Sequence, residues 1–227
     1  MKKMVSILVV PLMILASATF VMAELSWQFS EHTRYMVLGD SLSAGYGAIP
    51  QTEGFAYRLY QQGVFDVANK TIFSNSSVPG ATSADVLAYQ VPQAFIFKPD
   101  VITITVGGND LTAILAGADP TQVLGQFQQN LVQILYALVI DLGAEVYIAN
   151  LYTISDIPGA DQVIPLFNQV VAGVANSFGV PVADFYRTFD GKQGLLLIDR
   201  HGAAPLEIHP TNAGHKAMAE AFKTVIK

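Results

Sequence analysis

Four short segments of the chain carry groups suited to acyl transfer. They read GDSLSAGYG from Gly39 to Gly47, NSSVPGAT from Asn75 to Thr82, VGGND from Val106 to Asp110, and EIHPTNAGH from Glu207 to His215. A serine such as Ser41 becomes a nucleophile only when a base accepts its proton. The chain has four histidines, His32, His201, His209 and His215. His209 stands out because Pro210 and then a helical pattern follow it, which would fix its backbone. The tetrahedral intermediate of acyl transfer needs hydrogen-bond donors for its oxyanion. The backbone N–H of Gly80, unencumbered by a side chain, the carboxamide of Asn109 and the N–H of Ser41 itself are the available ones. Taken singly, each segment has a plainer reading: Gly-Asp-Ser as a strand-to-helix turn, Gly-Gly-Asn-Asp as a loop, His-Pro as a packing histidine.

The elements that would position these groups are legible as alternating patterns. Runs rich in β-branched residues occur at Tyr35–Leu38, Thr71–Ser74, Val101–Val106, Val146–Ala149 and Val180–Ala183. The third, VITITV, is apolar or Thr throughout, as expected of a strand covered on both faces. Between the runs, apolar residues recur at spacings of three and four. One such stripe runs from Leu124 to Leu142 and stops at Gly143; another spans Ile164–Phe178; a last one covers Ala217–Ile226, with Thr211 available as N-cap. Strand and helix alternating in this way predict an α/β fold, a parallel sheet sandwiched between helices. Such sheets bind ligands at the carboxyl ends of their strands. Three of the four segments directly follow predicted strands, and the fourth precedes the last helix.

In this order the segments resemble the four sequence blocks of the GDSL, or SGNH, hydrolases, a family named for one Ser, Gly, Asn and His in successive blocks. On that resemblance the four are Ser41, Gly80, Asn109 and His209, and it covers about Tyr35 to Val225. It implies a three-layer α/β/α sandwich of flavodoxin-like type with five parallel strands. The implied activity is hydrolysis of carboxylic esters or thioesters: Ser41 and His209 are catalytic, Ser41, Gly80 and Asn109 form the oxyanion hole, and no cofactor takes part. The first block looks most like the bacterial periplasmic thioesterase, lysophospholipase and arylesterase group. One departure concerns the family's DxxHP motif, whose aspartate position holds Leu206 here. Glu207, two residues before His209, is the nearest acid that could orient the histidine; a backbone carbonyl in the Ala203–Leu206 loop and the more distant Asp199 are the alternatives.

Composition narrows the remaining classes. The chain has 227 residues, a formal charge of −6 and no cysteine. No Lys/Arg cluster exists to follow phosphates, so nucleic acid is not an expected partner; a small ester or lipid is. His209 and His215 lie six residues apart across a helix start, with no acidic cluster beside them, so no metal site is expected. Lys2 and Lys3 followed by apolar Met4–Leu15 and by Val21-Met22-Ala23 read as a signal peptide over residues 1–23, leaving a single domain over 24–227. The expectation is therefore an exported protein, periplasmic or extracellular, with no membrane span in the mature chain. Asp110 is read as a loop or N-cap aspartate. Tyr46, Phe55 and Tyr57 either line an acyl pocket or pack a helix after Ser41. Two other functions fit the same blocks: a carbohydrate O-acetyl esterase, and a non-catalytic binding protein, the latter supported only by Leu206.

Overall fold

The runs rich in β-branched residues give a five-stranded sheet in the computed structural model, which describes residues 32–66, 70–154, 157–198 and 208–226. The strands are β1 (Thr33–Gly39), β2 (Thr71–Asn75), β3 (Val101–Thr105), β4 (Glu145–Ala149) and β5 (Val182–Ala183). All pairings are parallel, in the order β2-β1-β3-β4-β5. The order reverses direction between β1 and β3, so their carboxyl ends flank a topological switch point. Every residue of β3 is buried, as VITITV requires of a strand covered on both sides. The last strand is shorter than its apolar run, because Pro181 has no N–H for a ladder and confines pairing to the sheet edge.

The helices are α1 (Phe55–Gln61), α2 (Ser83–Asp85), α3 (Val91–Phe97), α4 (Gly108–Leu115), α5 (Pro120–Leu135), α6 (Ala160–Ser177), α7 (Phe185–Phe189) and α8 (Asn212–Lys223). A wider π turn, Val86–Gln90, joins α2 to α3, and a second, Tyr136–Asp141, extends α5. The stripe beginning at Leu124 thus ends as a π turn rather than a uniform helix. Helices α1, α7 and α8 pack together on one face of the sheet, and α2 to α6 form the layer on the other. The core lies between these layers and the sheet, with Phe127, Leu131, Ile134 and Phe167 on one side and Phe55, Phe185, Met218 and Phe222 on the other. Thr211 caps α8 as its position suggests, accepting from the N–H of Gly214. The signal-peptide segment, residues 1–23, lies outside the described residues.

Candidate active site

The backbone after β1 does not enter a helix. Residues 41–47 form successive turns, closed by Ala44 N–H to Asp40 C=O and Tyr46 N–H to Ser41 C=O, and after one 3-10 turn at Gln51–Glu53 the first α-helix on this connection begins at Phe55. The plain reading of Gly-Asp-Ser as a strand-to-helix turn is met only in part, because these turns come before the helix. The turn can form because Gly39 sits at φ +127°, where a Cβ would meet the Thr105 carbonyl oxygen at 2.0 Å. The backbone of Gly39 is held by the buried side chain of Gln90. Gly39 N–H donates to Gln90 Oε1 at 2.6 Å, and Gln90 Nε2 donates to Gly39 C=O at 2.8 Å. Both peptide groups at the end of the strand are thereby satisfied, as buried backbone demands.

Asp40 is buried beneath the turn. Its Oδ1 accepts from the Leu42 N–H at 3.0 Å and from Thr105 Oγ1 at 2.8 Å, and Ser43 Oγ lies 2.8 Å from the same threonine hydroxyl. Burial pushes the Asp40 carboxyl up to about 6, against the lowering effect of its hydrogen bonds from Thr105 and Leu42 and of nearby His209. Ser41 is left at the sheet's rim with its hydroxyl toward His209.

Ser41 Oγ and His209 Nε2 are 2.8 Å apart. Several contacts fix the histidine. A short antiparallel bridge joins Leu196 to Pro210, with Leu197 N–H donating to His209 C=O at 2.9 Å and Thr211 N–H to Leu195 C=O at 2.8 Å. Tyr152 Oη donates to the Ile208 carbonyl at 2.9 Å. Asn212 pairs with the Ile49 backbone through both ends of its amide, at 2.8 and 2.7 Å. The Tyr46 ring lies 4.4 Å from the imidazole, centroid to centroid, and Gly47 backs against His209 Cβ. Of the three aromatics weighed for the pocket, only Tyr46 meets the site. Phe55 stacks on Phe222 in the core, and Tyr57 packs against Phe73. Leu206, Glu207, the Ala203–Leu206 loop and Asp199, the candidates for orienting His209, lie outside the described residues.

Asn109 is the second residue of α4, immediately after β3. Its Nδ2 donates to the Ala81 carbonyl at 2.8 Å, which ties it to the loop bearing Gly80 and leaves one amide N–H uncommitted. Val78-Pro79-Gly80-Ala81 closes a turn through Ala81 N–H to Val78 C=O, with Gly80 at φ +85°. Pro and a positive-φ Gly at the two central positions identify it as type II. A Cβ at Gly80 would meet nothing within 4 Å, so the turn's φ rather than crowding calls for glycine here. Among the described residues, the N–H groups of Ser41 and Gly80 have no intramolecular acceptor. Asp110 anchors this loop from the opposite side. Its carboxylate accepts from Ser83 N–H at 2.9 Å and Ser83 Oγ at 2.5 Å, a link between connections rather than a cap of its own helix.

Ser41, Asn109 and His209 open onto one cleft of about 120 Å³. Beyond these three, its lining is mostly aliphatic, including Leu111, Leu115, Leu151, Ile154, Ile157 and Ile164. A larger, open depression lined by His32, Tyr60 and Thr71 lies at the amino end of β2, away from Ser41. His215 stands apart from the reacting groups. Its Nδ1 accepts from Phe55 N–H at 3.3 Å and its Nε2 donates to Tyr46 C=O at 2.9 Å, which fixes it as a neutral imidazole. Burial holds its pKa down, at about 4. No cluster of potential metal ligands occurs among the described residues.

Sequence reading located Ser41, Gly80, Asn109 and His209 but not the amides and the carboxylate that hold them. Gln90 in VLAYQVPQ, and Asn168, which accepts from Leu151 N–H at 2.8 Å and donates to Leu151 C=O at 2.9 Å, are polar side chains set in apolar helical stretches. That local mismatch is the signal by which they could have been found.

Comparison with known proteins bears on the family and the fold. Residues 37–217 match the model of the GDSL-like lipase/acylhydrolase family. The spore germination lipase LipC of Bacillus licheniformis is 28% identical over 208 residues, covering 84% of this chain and 94% of that protein. An acetylxylan esterase of Xylanibacter ruminicola is 25% identical over 228 residues, covering 86% of this chain but only 43% of the relative's length. Among solved structures, TesA superposes with a TM-score of 0.67 at 26% identity, over 86% of this chain and 98% of that one. A tryptophan-to-isoleucine variant of Axe2, an acetyl xylan esterase of Geobacillus stearothermophilus, does so with a TM-score of 0.67 at 20% identity over 86% and 94%, a likeness of fold.

Proposed function

This chain belongs to the GDSL-like lipase/acylhydrolase family and is an ester-hydrolysing enzyme, and from that premise we propose that it works through an acyl-enzyme on Ser41 with His209 as its base. The single observation that carries the proposal is the 2.8 Å approach of His209 Nε2 to Ser41 Oγ at the mouth of an aliphatic cleft. Nε2 takes the serine proton as Oγ attacks the acyl carbon, and the carbonyl oxygen becomes an oxyanion. The N–H groups of Ser41 and Gly80 and the spare amide N–H of Asn109 are the donors for that charge. Collapse breaks the bond to the leaving group, which takes the proton from Nε2. Water then gives a proton to the same nitrogen, attacks the acyl-serine and releases the acid, and the serine recovers its proton.

The cleft's lining supports an acyl chain longer than acetyl. Leu111, Leu115, Ile154, Ile157 and Ile164 offer an extended apolar surface, and each methylene buried there contributes roughly 0.8 kcal/mol. Thioesters enter the proposal on the same machinery, since the acyl half of the substrate is unchanged. The acetylxylan esterase relative supports a second reading, removal of acetyl groups from carbohydrate. The N-terminal pattern around Lys2, Lys3 and Ala23 extends the proposal to an exported enzyme.

Hydrolysis of p-nitrophenyl esters from acetyl to palmitoyl tests the reading, with Ser41→Ala as control. Turnover is expected to rise beyond acetyl, and Ser41→Ala is expected to lose on the order of 10⁶ in kcat. Acetyl-only turnover would transfer the assignment to the carbohydrate esterase. Activity in Ser41→Ala within about tenfold of the parent would remove Ser41 from its role.

A further inference from the structure

Two of the three groups on the reacting carbon already have a place, and the third does not. In the tetrahedral intermediate on Ser41 Oγ, the oxyanion faces the donors of Ser41, Gly80 and Asn109, and the acyl chain takes the aliphatic cleft. The leaving alcohol must bring its oxygen within hydrogen-bond reach of His209 Nε2 to collect a proton. Whatever is attached to that oxygen therefore passes beside the imidazole. Tyr46, which is no part of the cleft's lining, lies against that ring, 4.4 Å between centroids and inclined by 54°. Its backbone is fixed at both ends. The N–H donates to Ser41 C=O at 2.8 Å, and the C=O accepts from His215 Nε2 at 2.9 Å. Gly45 and Gly47 on either side, at φ +81° and +91°, let the chain bend there. Yet the side chain is 49% exposed, and its hydroxyl makes no hydrogen bond to a described residue. The core has no use for a rigidly held, half-bare ring beside the base.

The geometry points to Tyr46 as the residue that recognises the alcohol half of the substrate, an uncharged alcohol carrying an aryl group. This assignment rests on the acyl-enzyme reading above and concerns the side of the ester that the cleft does not hold. Aromatic rings in contact gain beyond the area they bury, in offset or edge-to-face arrangements that a half-exposed ring leaves open. Tyrosine also has few side-chain rotations to lose when it binds. A phosphate-bearing alcohol would call for a cation. Residues 35–57, which include Ser41 and Tyr46, contain no Lys or Arg. Arg58, the next cation along, is paired with Glu53. A sugar would call for hydrogen-bonding groups to meet its hydroxyls. The residues after Tyr46 are Gly, Ala, Ile and Pro, which offer no polar side chain. The backbone N–H and C=O of Ile49 are already spent on Asn212, while the Ile49 side chain is 81% exposed.

Hydrolysis of benzyl butyrate and of methyl butyrate separates the alcohol half from the rest of the reaction. Both esters give the same butyryl-enzyme, and both alcohols need the proton from Nε2. A variant that only displaces His209 therefore lowers kcat/KM for both alike. The parent is expected to favour the benzyl ester by about fivefold or more in kcat/KM. Tyr46→Ala is expected to lower that preference about fivefold, and Tyr46→Phe to keep it. A parent that treats the two esters alike overturns the proposal, and so does a preference that Tyr46→Ala leaves intact. A preference lost equally in Tyr46→Phe overturns it too, because the ring is then not what holds the alcohol. An enzyme that cleaves p-nitrophenyl butyrate through Ser41 but neither of these esters overturns it as well. Absence of Ser41-dependent release of p-nitrophenol is a different failure, that of the acyl-enzyme reading itself, and the assignment of Tyr46 falls with it.

Discussion

At the scale of single residues, the serine and histidine are held by unlike means. Ser41 is presented by a backbone turn that Gly39 alone permits, whereas His209 is pinned by neighbours on three sides, Tyr46, Leu197 and the carbonyl bound by Tyr152. Asn109 is anchored by one amide hydrogen to Ala81, so its other hydrogen is aimed before substrate arrives. Removing a donor whose partner charge exists only in the transition state lowers kcat more than it changes KM. Asn109→Ala is therefore expected to lose roughly 10²–10³ in kcat with little change in KM; a change confined to KM would make it a substrate-binding group. The orientation of His209 gives a second prediction. Nε2 can accept the serine proton only when Nδ1 carries the other one, and something must accept that N–H. With Leu206 at the family's acid position, a backbone carbonyl is the expected acceptor, and Glu207→Gln should cost less than about tenfold in kcat/KM. A loss near 10⁴, the cost of amidating the acid of a Ser-His-Asp triad, would name Glu207 as the orienting group instead.

At the scale of elements, the site is a meeting of four connections, and its precision depends on how they touch. Gly47, at φ +91°, lies so close to the last segment that a Cβ would stand 2.3 Å from the Pro210 carbonyl oxygen and 3.1 Å from His209 Cβ. Gly47→Ala should displace the histidine, and a shift of about 1 Å can cost roughly 10² in rate. Unchanged kcat/KM in that variant would mean the two segments slide past one another freely. The same geometry explains what could be read beforehand. Strands and helices announced themselves through period and run length, and Ser41, Gly80, Asn109 and His209 were legible because each lies in a short segment that follows a strand run or precedes the last helical stripe. Gln90 and Asp40 were not, because their partners lie 51 and 65 residues away and leave no local pattern. Tyr46, Phe55 and Tyr57 were indistinguishable as aromatics near a serine; only the packing sends the first to the site, the second to the core and the third against Phe73. The helix after Ser41 begins only at Phe55 for a related reason: Gly45 and Gly47, both at positive φ, favour turns over a continuous helical backbone.

At the scale of the molecule, two buried groups pull stability in opposite directions as pH changes. His215 is held down from 6.5 to about 4, so between those values the unfolded chain binds the proton and stability falls as pH falls. Asp40 is pushed up from 3.8 to about 6, so between those values the folded chain binds the proton and stability rises as pH falls. Each changes stability by about 1.4 kcal/mol per pH unit, and across the shared window from about 6 to about 4 they largely cancel. Asp40→Asn retains an oxygen for the Leu42 and Thr105 hydrogen bonds but removes the titration. Its unfolding free energy, followed by urea titration, should drop steeply from pH 6 to pH 4 while that of the parent stays nearly level; parallel curves would show that the two groups do not oppose each other. The separation of 168 positions between Ser41 and His209 has a different consequence, one of timing. Ser41 and its turn are synthesised early, but no base reaches them until His209 has emerged and Asn212 has taken hold of Ile49. A growing chain is thus chemically silent for most of its synthesis, and the first ester it cleaves certifies that its last helix has come home.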